Sequence, residues 1–141
     1  MRLFSTRHSH AELYLHAVWA TWNRLAVIDG DLFAFMTQQA AATAGEFGAV
    51  VLAFGGVADH VHALLRYRPD LPASELVRAL KAALTRCIRR DRPGLSSFAW
   101  QAGYGAFSVG VAELSAVKSY IWNQRRHHAD GRLWPEVEPV G

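Results

Sequence analysis

The sequence predicts an α+β fold of the ferredoxin-like or RRM-like class: a four-stranded antiparallel sheet in the order βαββαβ, followed by a C-terminal helix. Two observations predict it. Short strand-like segments are interleaved with segments of helical period, in the order β-α-β-β-α-β-α. The chain of 141 residues is also 51% apolar and 19% charged, which indicates a buried core. Because it has no repeat or linker, one domain is expected over residues 1–141, with irregular tails at 1–11 and 129–141.

The first strand and the first helix have clear boundary signals. Alternation predicts a strand over residues 12–22, with an apolar face formed by Leu13, Leu15, Ala17 and Trp19. Asp29 or Asp31 is suited to cap a helix from Leu32 to Ala44, and Gly45 follows as its stop. A β-α unit therefore opens the fold.

The middle of the chain predicts a pair of strands and a second helix. Val50–Phe54 is a short buried strand and Asp59–Tyr67 is the next, with Gly55-Gly56 as a tight connection between them. Ser74 is a suitable N-cap for a helix from Glu75 to about Arg90.

One strand and one helix remain. The later half of Trp100–Val109 predicts the fourth strand, and Ala112–His128 predicts the last helix. This helix is additional to the βαββαβ pattern. We therefore expect it at a functional position or on the open face of the sheet.

Charge and cysteine content indicate a class of partner and a location. The net charge is +3, but residues 66–92 contain eight basic and three acidic residues. Such clustering is expected of a protein that binds a polyanion, but an ordinary solvent-exposed helix face explains it equally well. Candidate contacts to such a partner are Arg78, Lys81, Arg89, Lys118 and Arg125. One cysteine, no membrane-length apolar stretch and no signal-like N-terminus predict a cytoplasmic protein without a membrane partner.

A histidine pair lies in the predicted third strand. Alternation places His60 and His62 on the same face, where their nitrogens can share one metal ion. Asp59 can orient one of the two rings through a hydrogen bond. By itself the pair is weak evidence, because two ordinary histidines fit the same spacing.

The last helix carries a polar stripe. Glu113, Tyr120, Gln124 and His127 fall within a stripe about 60° wide at helical spacing. Two imidazoles and an amide oxygen leave open positions on a divalent cation, and a phosphate oxygen can fill one of them. A tyrosine beside that phosphate can act as the nucleophile and form a phosphotyrosyl ester.

Three segments together resemble a known family. Asp59–His62, Trp100–Val109 and Tyr120–His128 are similar, in order and spacing, to the signatures of the single-tyrosine HUH transposases. These include small insertion-sequence transposases and their relatives associated with repetitive extragenic palindromes. His16–Thr21 also resembles the first strand of that family.

The resemblance implies a site and a substrate. It implies that His60 and His62 hold Mg²⁺ or Mn²⁺ with Gln124 as the third ligand. Asp59 and His127 are our candidates for contacts that support these ligands. Tyr120 would attack single-stranded DNA near a hairpin and leave a 5′-phosphotyrosine and a free 3′-OH. It also implies a homodimer, with the tyrosine helices exchanged between protomers in many members, and Gly110 is a candidate hinge for the exchange.

Alternative functions stay open. A non-catalytic RRM-like nucleic-acid-binding protein would use the same sheet without metal. A metal-dependent hydrolase of a small phosphoester would use the histidines without the nucleophile. A domesticated relative would apply the same chemistry to chromosomal palindromic repeats. The metal is also open, because two imidazoles and an amide oxygen suit Mn²⁺ or Zn²⁺ at least as well as Mg²⁺.

Overall fold

A computed structural model describes residues 10–139 and contains one four-stranded antiparallel sheet. The strands are β1 (Leu13–Ala20), β2 (Val50–Val57), β3 (His60–Tyr67) and β4 (Gly105–Ser108). Their order across the sheet is β2-β3-β1-β4. The helices are α1 (Gly30–Glu46), α2 (Ala73–Asp91), α3 (Leu114–Trp122) and α4 (Gln124–Asp130). This arrangement confirms the predicted fold class.

One face of the sheet carries the main core. The alternating side chains that point into it from β1 and β3 are Leu15, Ala17, Trp19, Val61, Ala63 and Leu65. Helices α1 and α2 cover this face with buried residues that include Met36 and Leu80. Asp29 begins α1 as predicted, because its side chain accepts a hydrogen bond from the Leu32 N–H.

The opposite face carries α3 and a smaller core. This second cluster consists of Tyr14, Ala53, Leu64, Val117 and Ile121. The seventh element therefore packs on the face that the first two helices leave open, as expected. His60 and His62 alternate onto this same face of β3.

The prediction that Gly55-Gly56 connects two strands is wrong. Both glycines lie inside β2, and the connection is formed by residues 58–59. A Cβ atom at Gly55 would lie 2.7 Å from the carbonyl carbon of Ile121 and closer still to its oxygen. Glycine is therefore required because the backbone of α3 approaches β2, and the position forms no turn.

The last predicted helix is broken. Asn123 has φ −103° and ψ 25°, so α3 ends before it and α4 begins after it. Its side-chain amide donates to the Ser119 carbonyl, which competes with continuation of the helix. The predicted start at Ala112 is also wrong, because residues 111–113 form a 3₁₀ turn.

Other boundaries also differ. Ser74 is not the N-cap of α2, because the helix begins at Ala73 after Pro72, whose fixed φ suits a helix start. The first strand ends at Ala20 rather than at residue 22.

The structure describes part of the two predicted tails. Residues 129–130 belong to α4 and residues 131–139 are irregular with turns, whereas residues 140–141 lie outside the described part. Of the predicted N-terminal tail, residues 1–9 lie outside the described part, and residues 10–11 are neither helix nor strand. No helix within residues 10–139 is long and apolar enough to cross a membrane.

Candidate active site

Two histidines of β3 form the centre of the site. His60 and His62 are 1% and 0% exposed, and their ring centroids lie 5.2 Å apart. Both Nε2 atoms face the carboxylate of Glu138, at 3.1 Å for His60 and 3.3 Å for His62. The pair therefore presents two nitrogens to a single point.

The other nitrogen of each ring has its own partner. The Nδ1 atom of His60 lies 2.8 Å from Asp59 Oδ1, and Arg24 contacts the second oxygen of Asp59 at 3.1 Å. The Nδ1 atom of His62 lies 2.8 Å from Nε2 of His16, a buried residue of β1. Burial, followed by the proximity of His62, lowers the pKa of His16 to about 4, and burial also lowers the pKa of His62. His16 is consequently neutral near pH 7.

Tyr120 lies beside the histidines of its own chain. Its ring centroid is 6.0 Å from that of His62, and the whole residue is 2% exposed. The ring is stacked on Trp134 at 3.9 Å and on His127 at 4.9 Å. Its hydroxyl donates to Glu138 Oε2 and accepts from the Trp134 N–H at 2.9 Å. Burial, and then the hydrogen bond to Glu138, raise the pKa of Tyr120 to about 12.

Glu138 occupies the middle of this arrangement, and sequence reasoning missed it. One carboxylate oxygen contacts the histidines, and the other contacts Tyr120 and Gln124. Burial favours a raised pKa for Glu138, but hydrogen bonds from His60, His62 and Tyr120 outweigh it and hold the pKa well below the usual range. Glu138 is one of two glutamates between Pro135 and Pro139 in an irregular tail, and nothing in the sequence signals this role.

Gln124 is buried in the site with its amide nitrogen toward Glu138. The Nε2 atom lies 3.3 Å from Glu138 Oε2, and the amide oxygen lies 3.2 Å from His128 Nε2. A ligand role for Gln124 requires rotation of the amide, so that its oxygen turns away from His128 and toward the cation. His128, and not His127, makes the polar contacts here, because His127 stacks on Tyr120 and its buried Nδ1 has no partner among the described residues.

The three groups fit a divalent cation. The ligand atoms of His60, His62 and Glu138 lie within 4.8 Å of one another. Neighbouring ligands of an octahedral cation at 2.0–2.1 Å lie about 3 Å apart, close to the 3.1 and 3.3 Å contacts of Glu138. Two imidazoles and a carboxylate suit Mn²⁺ or Zn²⁺ better than Mg²⁺, which prefers oxygen ligands.

The predicted DNA-contact residues fall on two surfaces. Arg78, Lys81 and Arg89 of α2 line a cavity of about 550 Å³ with Trp100 and Tyr104. Two of the three basic side chains already make hydrogen bonds within the protein. Lys81 donates to the carbonyls of Gln101 and Gly103, and Arg89 donates to that of Phe98.

The other two predicted DNA-contact residues lie on the last two helices. Lys118 belongs to α3, and Arg125 of α4 is exposed and lines a different cavity with Trp122. A further cavity of about 550 Å³ extends from residues 101–105 to Glu138. The α2 surface and the candidate site therefore border the same loop.

The sequence itself now identifies the family. Residues 9–124 match the family described as "Transposase IS200 like". The chain belongs to this family. No protein of curated function matches it. The transposase family match ends at Gln124, so Trp134 and Glu138 lie beyond it.

Two solved structures are similar to this IS200-like transposase. A protein of Deinococcus radiodurans R1, assigned as a transposase, is 25% identical with a TM-score of 0.71; the match covers 86% of this chain and 98% of that one. A REP-associated tyrosine transposase bound to a REP hairpin has a TM-score of 0.65 at 14% identity, covering 89% of this chain and 74% of that one. The second likeness shows the fold alone.

Proposed function

We propose that this transposase cleaves and rejoins single-stranded DNA beside hairpins, through a covalent 5′-phosphotyrosine on Tyr120 and with a divalent cation. One observation carries the proposal: the hydroxyl of Tyr120 and the Nε2 atoms of His60 and His62 converge on one anionic group, the carboxylate of Glu138. A phosphate offers the same kind of negatively charged oxygens. The carboxylate thus stands where a scissile phosphate would be held.

The chain's own residues have distinct roles in this reaction. His60 and His62 would hold the cation through Nε2, and Gln124 would supply an oxygen ligand; Glu138 would supply one only before DNA binds. When bound, the cation stabilises the charge that develops on the phosphoryl oxygens. Gln124 is predicted to act after its amide rotates, whereas Glu138 already faces both rings.

The bond changes balance without an external energy source. The Tyr120 oxygen attacks phosphorus, the bond from phosphorus to the 3′ oxygen breaks, and the phenol proton passes through water to the departing 3′ oxygen. The products are a 5′-phosphotyrosine and a free 3′-OH. Attack by the 3′-OH of another strand reverses these steps and releases Tyr120. Since one phosphoester forms for each one broken, rejoining needs no ATP.

The C-terminal tail must withdraw before DNA can bind. Both hydrogen-bonding directions of the Tyr120 hydroxyl are taken by Glu138 and by the Trp134 backbone, and the Trp134 ring covers the phenol. In this state the raised pKa keeps the phenol neutral. Withdrawal of Glu138 removes the hydrogen bond and the neighbouring carboxylate charge that disfavour the phenolate. Glu138 is thus a ligand in the DNA-free protein and a competitor of the substrate.

The finer partner assignments are also proposals. A hairpin stem is expected on the surface formed by Arg78, Lys81 and Arg89, with unpaired bases near Trp100 and Tyr104. The solved relative bound to a REP hairpin supports this class of DNA. A homodimer and a cytoplasmic location stay predictions. Helix exchange is not needed to build the site, because Tyr120 and the histidines of one chain are in contact.

The test is covalent capture. A labelled single-stranded oligonucleotide library with hairpins, incubated with Mn²⁺, is expected to give an SDS-resistant protein–DNA adduct. Tyr120→Phe should abolish the adduct, while Tyr67→Phe, which alters a tyrosine at the opposite end of β3 from His60, should retain it. An adduct that survives in Tyr120→Phe contradicts the assignment of the nucleophile.

Two other outcomes favour the alternatives. EDTA-insensitive binding without cleavage of any hairpin would support a nucleic-acid-binding module. Product release that never passes through an adduct would support a hydrolase.

A further inference from the structure

A third buried histidine adjoins the site, and the proposed roles do not use it. His16 is 2% exposed and lies on β1, on the sheet face that carries His60 and His62. In the β1–β3 register Val18 is opposite His62, so His16 is its diagonal neighbour on the same face. The two ring centroids are 5.1 Å apart, and His16 Nε2 is 2.8 Å from His62 Nδ1.

This contact defines which nitrogen of His62 is available to a metal. A ring nitrogen that binds a cation carries no proton, so the proton of a neutral imidazole lies on the other nitrogen. For His62 the nitrogen that faces the site is Nε2, and its proton must then lie on Nδ1. A buried N–H needs an acceptor, and the nearby acceptor is His16 Nε2.

His60 shows the usual form of this arrangement, in which the ring nitrogen turned away from the metal site contacts a hydrogen-bond acceptor. Its Nδ1 faces Asp59, a carboxylate that accepts hydrogen bonds and is itself held by Arg24. Ligating histidines commonly donate to a carboxylate or a carbonyl in this way. His62 has a neutral imidazole in that place, which can accept on Nε2 only while its own proton is on Nδ1.

We propose that His16 is a positioning residue: it accepts the Nδ1–H of His62, fixes the orientation of that ring and keeps its Nε2 free for the cation. The inference rests on the proposed function, because it assigns His62 as a metal ligand. It also implies a change of hydrogen-bond direction. With only the Glu138 carboxylate before it, His62 Nε2 carries the proton and His16 donates; with a cation bound, His62 donates and His16 accepts.

Metal affinity of the full-length protein without DNA tests the role. His16→Phe keeps a planar ring but removes the acceptor, and we expect it to weaken Mn²⁺ binding by roughly 10- to 100-fold. His16→Gln restores an acceptor and is expected to recover most of that affinity. Phe107→Leu is the matched packing control, because this residue contacts the His16 ring edge-on without a polar contact; it should bind Mn²⁺ as the unaltered protein does.

A spectroscopic measurement on the unaltered protein keeps the proposal falsifiable if His16→Phe does not fold. With diamagnetic Zn²⁺ bound, ¹⁵N spectra of the His62 ring should show a protonated Nδ1 and an unprotonated Nε2. A protonated Nε2 in the loaded protein would overturn the proposal, as would equal Mn²⁺ affinity in all variants or a His16→Gln affinity as low as that of His16→Phe. Unchanged Mn²⁺ affinity in His16→Phe, together with Tyr120-dependent adduct formation, overturns this inference alone. Absence of Mn²⁺ binding in the unaltered protein overturns the proposed metal site as well.

Discussion

Gly55→Ala tests the requirement that β2 and α3 be in backbone contact. The added Cβ would lie 2.7 Å from the Ile121 carbonyl carbon and 3.0 Å from its Cγ2, and closer still to the carbonyl oxygen. Ordinary carbon contacts are about 3.5–4.0 Å, so α3 must move by about 1 Å. A side-chain rotation cannot relieve a clash with backbone atoms. Tyr120 directly precedes Ile121, so the proposed nucleophile moves with the helix.

The expected result has two parts. Overpacking should lower the free energy of unfolding by about 1–3 kcal/mol. Displacement of the Tyr120 oxygen by about 1 Å should slow adduct formation about 100-fold. The first is measured by urea denaturation and the second by the initial rate of covalent adduct formation on a hairpin oligonucleotide at saturating Mn²⁺.

Gly45→Ala provides the matched control. Gly45 lies in α1, and a Cβ there meets nothing within 4 Å. Removing a helical glycine should raise the free energy of unfolding by about 0.5–1 kcal/mol and leave the cleavage rate unchanged. If Gly55→Ala matches the unaltered protein in both assays, the glycine is not required for helix approach and the packing argument is refuted.

Three further predictions concern Glu138 in the tail, the proposed nucleophile Tyr120 and the proposed DNA-binding surface of α2. Glu138→Gln should weaken Mn²⁺ binding without DNA but speed adduct formation about tenfold. The reason is that loss of one charge-assisted hydrogen bond, of about 1.5–3 kcal/mol, favours withdrawal of the tail. Slower adduct formation would contradict the proposal that Glu138 competes with the DNA. Because the pKa of Tyr120 is raised from 10.0 to about 12 in the folded protein, its contribution to the free energy of unfolding is complete below pH 10 and is lost between pH 10 and 12. The stability difference between the unaltered protein and Tyr120→Phe should therefore shrink over that interval in denaturation curves, and a constant difference would be evidence against the shift. Arg78→Ala should weaken binding to hairpin DNA and lower the salt dependence of that binding by a slope of about 1, without changing the melting temperature of the protein. Lys81→Ala should lower the melting temperature because Lys81 donates to two loop carbonyls. Equal melting temperatures for the two variants would contradict this distinction.

Features that depend on neighbours in the chain could be predicted from the sequence. The helix cap at Asp29 is a local hydrogen bond to Leu32, and a capping residue is recognisable without knowledge of the rest of the fold. Likewise, His60 and His62 share a face because side chains alternate along any strand. The order of segments, read by the same local rules, led to the observed sheet.

The role of Gly55-Gly56 could be recognised only in the tertiary structure. Gly55-Gly56 has the composition of a turn, and only the position of α3 shows that it serves close packing. The position of Glu138 in the site could not be predicted from the sequence of the tail, because Glu138 acquires its partners only when the chain folds back onto β3.

The sequence by itself determined the sheet, the face on which the histidines lie and the family, because each follows from local periodicity or from the order of short motifs. Only the tertiary structure decided that Glu138 lies between Tyr120 and the histidines, that His128 rather than His127 makes the polar contacts, and that His16 contacts His62. Glu138 and His16 lie 76 and 46 residues from His62 along the chain, and their contacts are selected by burial and hydrogen-bond geometry that no local pattern encodes.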